Sequence, residues 1–284
     1  MSTIKSTDLI LKDGAVYHLG LRPEQLSSKI ITVGDPERVE KISRHFDSIE
    51  EVVRHREFIT HTGHFKGKRI SVISTGMGTD NIEILMTELD ALVNVDLATR
   101  TIHPELKSLE IVRIGTSGSL RSHIPVDTLV VSAMGIGIDT LMAFYPFHMQ
   151  KPDLLLSEAL QEHFSIPFLP YITYADNELL QRVGEGMTRG ITLTCPGFYA
   201  PQGRSVRLQP RQGDLLSQYI SFQHGQIALT NFEMETAGYY AMGSLLGHKM
   251  LSVNVIVANR VDDVFTTDAD VHMNRAIELV LDRI

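Results

Sequence analysis

The sequence predicts an α/β fold, built as one domain around a largely covered sheet, on three observations. Short runs rich in Val and Ile alternate with helix-period patterns along most of the 284 residues. Three such runs, 30–33, 70–73 and 111–114, pass directly into glycine-bearing junctions. No stretch is rich enough in Pro, Gly or Ser to act as a linker, so residues 1–284 are read as a single domain.

The elements follow in order. Residues 30–33 form a strand, and the helix after it takes Asp35 as N-cap and Pro36 as first residue. Residues 57–63 and 69–75 flank Lys66-Gly67-Lys68 and read as a hairpin. A helix begins near Asp80, with Glu83 completing a capping box, and Ile82, Leu85, Met86, Leu89, Leu92 and Val93 hold its apolar period. Residues 129–138 make a long apolar strand whose glycines suggest bends or close packing. Further strands are expected at 191–195, 226–230 and 250–257, and helices at 152–163, 235–246 and 269–284. The irregular stretch 196–210 carries aromatic and basic residues and reads as a functional loop.

Composition narrows the function. A net charge of −8 argues against binding a phosphate backbone, so no nucleic-acid partner is expected. The single Cys195 excludes an internal disulfide, fits a reducing compartment, and has the context of a small buried residue rather than a nucleophile. No apolar run approaches a membrane span and the N-terminus lacks a signal-peptide core; a soluble, cytoplasmic protein without a membrane partner is expected. His61 and His64 belong to no familiar zinc spacing, so no structural metal is expected. The chain has no G-x-S-x-G elbow, no Walker loop and no G-x-G-x-x-G opening a βαβ unit.

Three segments carry chemistry. In Arg113-Ile114-Gly115-Thr116-Ser117-Gly118, an arginine inside an apolar strand must find a partner, either an anionic ligand or an internal carboxylate. Gly34 and Arg38 repeat the pairing of a glycine amide with a guanidinium at a helix N-terminus, where anions bind readily. An isolated arginine there would read as a solvated surface residue, and on this segment the two readings stand level. In Asn231-Phe232-Glu233-Met234-Glu235, two carboxylates sit where a strand gives way to a helix. They are either acidic residues favoured by the helix dipole or acceptors for a vicinal diol such as that of ribose. Phe198, Gln202 and Arg204 combine an aromatic face, an amide and a guanidinium, a set that can read a pyrimidine or can form an ordinary surface loop.

The ordered motifs Tyr17-His18-Leu19-Gly20-Leu21, Gly34-Asp35-Pro36-Glu37-Arg38, His55-Arg56-Glu57-Phe58, Ser74-Thr75-Gly76-Met77-Gly78, Arg113-Ile114-Gly115-Thr116-Ser117-Gly118 and Glu233-Met234-Glu235 resemble the nucleoside phosphorylase superfamily of the trimeric/hexameric type. The resemblance covers about residues 17–260, leaving 1–16 as an N-terminal extension. It implies a central mixed, partly barrel-like sheet flanked by helices. Gln202-Gly203-Arg204 is similar to the uracil-reading Gln-x-Arg of the uridine-cleaving branch. The purine branch carries an aspartate after its late strand, where this chain reads Ala258-Asn259-Arg260.

The resemblance implies roles residue by residue. Gly34, Arg38, Arg113 and Thr116 would hold inorganic phosphate, the co-substrate, and Arg56 would reach the phosphate of a neighbouring subunit. Met234 and Glu235 would bind the ribose hydroxyls with Glu233 close by, and His18 would contact the 5′-hydroxyl across the subunit interface. Phe198, Gln202 and Arg204 would hold the base, making Arg113, Arg204 and Glu235 the catalytic set. Cleavage of uridine to uracil and ribose 1-phosphate is expected, without a resident cofactor. Other substrates compatible with the scaffold are deoxyuridine, thymidine or a purine nucleoside; hydrolysis or a non-catalytic nucleoside sensor is the remaining alternative. A homo-oligomer is implied, a hexamer arranged as a trimer of dimers or else a dimer. In the enteric bacterial enzymes a residue matching Glu57 helps hold a monovalent cation, K+, at an interface. Here Thr79-Asp80 and Asn81 depart from that pattern, which weakens the expectation of a cation.

Overall fold

The computed structural model describes residues 3–284, so the first two residues of the expected 1–16 extension lie outside the described residues. Eleven strands form the main sheet: β1 Lys29–Val33, β2 Ser48–His55, β3 Phe58–Phe65, β4 Lys68–Ser74, β5 Glu110–Ser119, β6 Leu129–Gly137, β7 Tyr171–Tyr174, β8 Thr188–Thr194, β9 Asn231–Glu233, β10 Lys249–Asn259 and β11 Val264–Phe265. The α-helices are α1 Pro36–Ser43, α2 Thr79–Asn94, α3 Lys151–Phe164, α4 Asn177–Arg182, α5 Leu215–Ser221, α6 Thr236–Leu246 and α7 Ala269–Arg283.

The strand order is β11-β10-β6-β8-β9-β5-β1-β4-β3-β2, with β7 added to β6. β10 pairs with β5 as well as β6, which closes β10-β6-β8-β9-β5 into a five-stranded barrel. The implied partly barrel-like mixed sheet is present, and β1-β4-β3-β2 extends from it as an open wing. Alternate residues along the central strands feed different apolar clusters: Ile30 and Ile111 pack with α2 and α6, whereas Ile31, Val33, Val112 and Ile114 pack with α1 and α7. Burial on both faces explains the near-continuous Val/Ile runs. α6 is buried almost all round over its first two turns, as its apolar sequence requires.

β5 determines where a ligand can sit. One edge pairs with β10 along its whole length. The other pairs with β1 only up to Ile114, and with β9 only from Gly118. Residues 115–117 therefore keep one edge without a neighbouring strand, at the point where barrel and wing separate. Strand order splits of this kind are where α/β sheets bind ligands.

Several sequence expectations need correction. The capping box at Asp80 and Glu83 does not form: α2 begins at Thr79 behind Gly78, and Glu83 instead accepts from the Tyr145 hydroxyl. The expected strand at 226–230 is displaced, because Ile227–Ala228 pairs in a small hairpin with Gln223–His224 and the sheet strand is Asn231–Glu233. The edge strand Ser48–His55 and the short helices α4 and α5 escaped the pattern reading. The Asp35 cap and the hairpin around Lys66-Gly67-Lys68 are as expected. Among the described residues no helix is long and apolar enough to cross a membrane.

The β2–β3 pairing carries a bulge between Ile49 and Glu51, beside which Gly63 faces backbone at close range. A Cβ on Gly63 would lie 2.1 Å from the Ser48 carbonyl oxygen. Gly63→Ala is expected to destabilise the chain by about 1–3 kcal/mol in a urea melt; a neutral substitution would contradict this register.

Candidate active site

The unpaired edge of β5 opens into a cavity of about 540 Å³ that gathers the three chemistry-bearing segments. Of the expected site residues, Gly34, Arg38, Arg113, Thr116, Phe198, Gln202, Arg204, Glu233, Met234 and Glu235 all line it, and so does Glu57. His18 and Arg56 do not.

The anion end is built by β1, β5 and α1. Arg38, in the first turn of α1, donates through Nη1 to the Ile114 carbonyl at 3.4 Å, on the free edge of β5. Backbone groups of alternate residues share an edge, so the Thr116 amide faces the same gap. Burial lowers the basicity of Arg38; Asp35 opposes the effect and Arg113 adds to it. No carboxylate lies within ion-pair distance of Arg38 among the described residues, so its charge is available to a bound anion.

Arg113 is arranged differently. Its side chain curls back over Gly115, where a Cβ would lie 2.1 Å from Nη1, so residue 115 must be glycine for the guanidinium to lie there. Nη2 donates to Glu235 Oε2 at 2.5 Å and lies 3.3 Å from Glu233 Oε2. Nη1 donates to Asn254 Oδ1 at 2.8 Å and Ser252 Oγ at 3.3 Å. Burial alone would lower its basicity, but the two carboxylates more than offset that and hold the guanidinium above its ordinary range. The internal-carboxylate alternative for Arg113 is therefore realised, and within the cavity. Glu235 Oε1 accepts the Gly78 amide at 2.9 Å, tying the β4–α2 junction to the same pair. Gly78 has φ +95°, a conformation that L side chains rarely adopt.

The opposite end is built by the loop after β8. The Gln202 side chain is buried, and its Oε1 accepts from Arg204 Nη1 at 2.5 Å. Arg204 lies 3.8 Å above the centre of the Phe198 ring and also donates to the Phe198 carbonyl. Burial, followed by the nearby Arg260, pushes the Arg204 guanidinium down to about 10. Arg260 donates to the Gln202 carbonyl at 3.3 Å and lies over Phe232. The sequence expectations give no role to Arg260 or Phe232, and the structure brings both to this end of the cavity. A basic residue immediately after an apolar strand was the available signal for Arg260.

His18 and Arg56 share a surface patch outside the cavity. Glu88, buried on α2, accepts the amides of His18 and Leu19 and approaches His18 Nδ1 at 2.7 Å. Arg56 has φ +54°, uncommon for a residue with a side chain. It donates to the Tyr17 hydroxyl at 3.2 Å and lies over the Tyr17 ring.

Residues 28–283 match the family model of the phosphorylase superfamily, and the chain belongs to that family. The uridine phosphorylase of Thermococcus kodakarensis is 29% identical over 89% of this chain and 81% of its own length. A DeoD-type purine nucleoside phosphorylase of Streptococcus suis is 26% identical over 93% and 94%. A crystal structure of a Trypanosoma brucei nucleoside phosphorylase, described as having uridine phosphorylase activity, superposes with a TM-score of 0.88 at 28% identity, covering 97% of this chain and 99% of that one.

Removing Arg113 would strand two buried carboxylates. Arg113→Ala is expected to cost about 3–5 kcal/mol of stability in urea unfolding, and a loss below about 1 kcal/mol would mean the carboxylates do not depend on it.

Proposed function

We propose that this chain is a uridine phosphorylase, splitting uridine with inorganic phosphate into uracil and ribose 1-phosphate. The observation that carries the reading is the Gln202–Arg204 pair over Phe198, opposite Arg38 and Arg113 in one cavity. Arg204 donates to Gln202 Oε1 and so fixes which end of the amide is which. The second lone pair of Oε1 remains for the N3–H of uracil, and Nε2 for an adjacent carbonyl. No aspartate stands at Ala258-Asn259-Arg260 to protonate a purine.

The reaction follows from the charges. Phosphate, held by Arg38 and the amide and hydroxyl groups of residues 34 and 116, attacks the anomeric carbon as its bond to N1 breaks. Positive charge grows on the ribose ring, as in glycoside cleavage. The neighbouring phosphate stabilises it only if its own charge survives binding. Arg113 meets that condition, because Glu233 and Glu235 already offset its charge while leaving it as a donor. Uracil departs with the bonding electron pair, and negative charge spreads to its carbonyl oxygens, where hydrogen bonds from Arg204 and Gln202 strengthen. Glu235 and Met234 hold the sugar. Phosphate is a co-substrate, and no resident cofactor takes part.

His18 and Arg56, outside their own cavity, serve the site of a neighbouring copy. The assembly is a dimer or a hexamer built as a trimer of dimers, in the cytoplasm.

Uridine is expected to yield uracil only when phosphate is supplied, and inosine to react much more slowly; phosphate-independent cleavage would mean a hydrolase. Arg204→Ala should lower kcat/KM for uridine by about 10²–10³, whereas near-normal turnover would refute the base-reading role. Mixing Arg38→Ala with Arg56→Ala protein under subunit exchange should restore activity that neither has alone. Absence of rescue would place Arg56 in its own subunit's site.

A further inference from the structure

Glu233 was expected beside the ribose, but its surroundings suit another role. β9 ends at Glu233 and α6 begins at Thr236, which puts Glu235 at the N-cap position. A helix start exposes amide groups that need acceptors, normally supplied by the N-cap side chain. Glu235 supplies none. Glu233 Oε2 accepts the Glu235 amide at 2.9 Å, and the same carboxylate accepts the Thr236 amide at 2.9 Å and 3.1 Å. Thr194, at the end of β8, accepts the Ala237 amide at 2.9 Å, and its hydroxyl donates to Glu233 Oε1 at 2.7 Å. Three consecutive amides at the start of α6 are thus satisfied by Glu233 and Thr194.

We propose that Glu233 is a positioning residue that caps α6 on behalf of Glu235, leaving the Glu235 carboxylate free for Arg113 and the ribose. The inference takes its activity readout from the uridine phosphorylase reading. A carboxylate offers about four acceptor sites. Thr194 and the Thr236 amide donate to Oε1, the Glu235 and Thr236 amides donate to Oε2, and Arg113 Nη2 lies 3.3 Å from Oε2, so none is left for a sugar hydroxyl. Glu233 is only 4% exposed, so the cap cannot be replaced by water without opening the barrel end. Without it, the Glu235 carboxylate stands at the N-cap position from which side chains ordinarily accept such amides. Swinging back to cap α6, that carboxylate would release both the Gly78 amide and Arg113.

The test is a double-mutant cycle on kcat/KM for uridine and 2′-deoxyuridine. Glu233→Gln should lose activity on the order of 100-fold, as expected for a misplaced site group. The ratio of its losses on the two nucleosides should match that of Glu235→Gln. Because Glu233 acts through Glu235, the Glu233→Gln/Glu235→Gln pair should be no worse than Glu235→Gln by more than about threefold. Multiplying losses, or a uridine-to-deoxyuridine ratio unlike that of Glu235→Gln, would overturn the proposal in favour of direct ribose contact. If Glu233→Gln does not fold, Thr194→Val weakens the same cap and Thr194→Ser keeps its hydroxyl. The first should lose activity and the second retain it, and equal loss in both would overturn the proposal. Should the wild-type chain not cleave uridine with phosphate, the function reading fails on its own. Hydrogen exchange then decides the cap: protection of the Thr236 and Ala237 amides should fall in Glu233→Gln, or in Thr194→Val if that variant must stand in, and persist in Glu235→Gln. Unchanged protection in the cap variant would overturn it.

Discussion

The buried pairing of Arg113 with Glu235 and Glu233 is the interaction around which the cavity is organised. A guanidinium inside an apolar barrel wall is costly unless its charge and its donors are matched. Here its Nη groups donate to Ser252 and Asn254 of β10 and to Glu235 at the entry to α6, and Glu233 of β9 lies within ion-pair distance. The pair therefore welds the barrel end to the helix that leaves it. Glycine at 115 and glycine at 78 are consequences: one gives the guanidinium room to lie flat, and the other lets a backbone amide reach the far oxygen of Glu235.

That arrangement also divides labour between two arginines of the same cavity. Arg38 forms no ion pair among the described residues and keeps its charge close to the free edge of β5, with Asp35 and Asp270 acting on it only from a distance, whereas Arg113 is paired with carboxylates and contributes direction rather than net charge. A site meant to trap an anion as tightly as possible would leave both cations bare. A site that must let the anion stabilise a cationic sugar cannot. The base end follows the opposite logic: Arg260 lowers the basicity of Arg204, and neither forms an ion pair among the described residues, Asp263 acting on Arg260 only from beyond that distance. Such crowding favours any group on which negative charge develops.

Much of this was legible in the sequence, and the failures have local causes. The strand-to-glycine junctions, the Asp35 cap, the Lys66-Gly67-Lys68 hairpin and the residues of the cavity could be placed because each is announced by neighbours in the chain. β2 could not, since an exposed edge strand reading Ser48-Ile49-Glu50-Glu51 has no buried face to impose alternation. β9 was misplaced because the apolar run at 227–229 looked more strand-like than Asn231-Phe232-Glu233, whose polar ends are buried only through partners on distant strands. Glu83 was assigned to a cap, but its acceptor capacity goes to Tyr145, 62 residues away. The same distance hid the partners of Arg113: the nearest carboxylate in sequence, Glu110, pairs instead with Lys29 and Arg182, and both of those that hold Arg113 lie more than a hundred residues along the chain.

The short length of β1 has a broader consequence. Were that strand to continue past Val33, it would zip along residues 115–117 until it met β9, and the opening would vanish under a continuous ladder. The Gly34-Asp35-Pro36 turn stops it, since proline at 36 can give no amide to such a ladder and the chain is diverted into α1. Where catalysis can happen is thus decided by punctuation in the backbone, while what is cleaved is decided by side chains on loops around it. Variation in those loops can retune the choice of nucleobase and leave the seam in the sheet untouched.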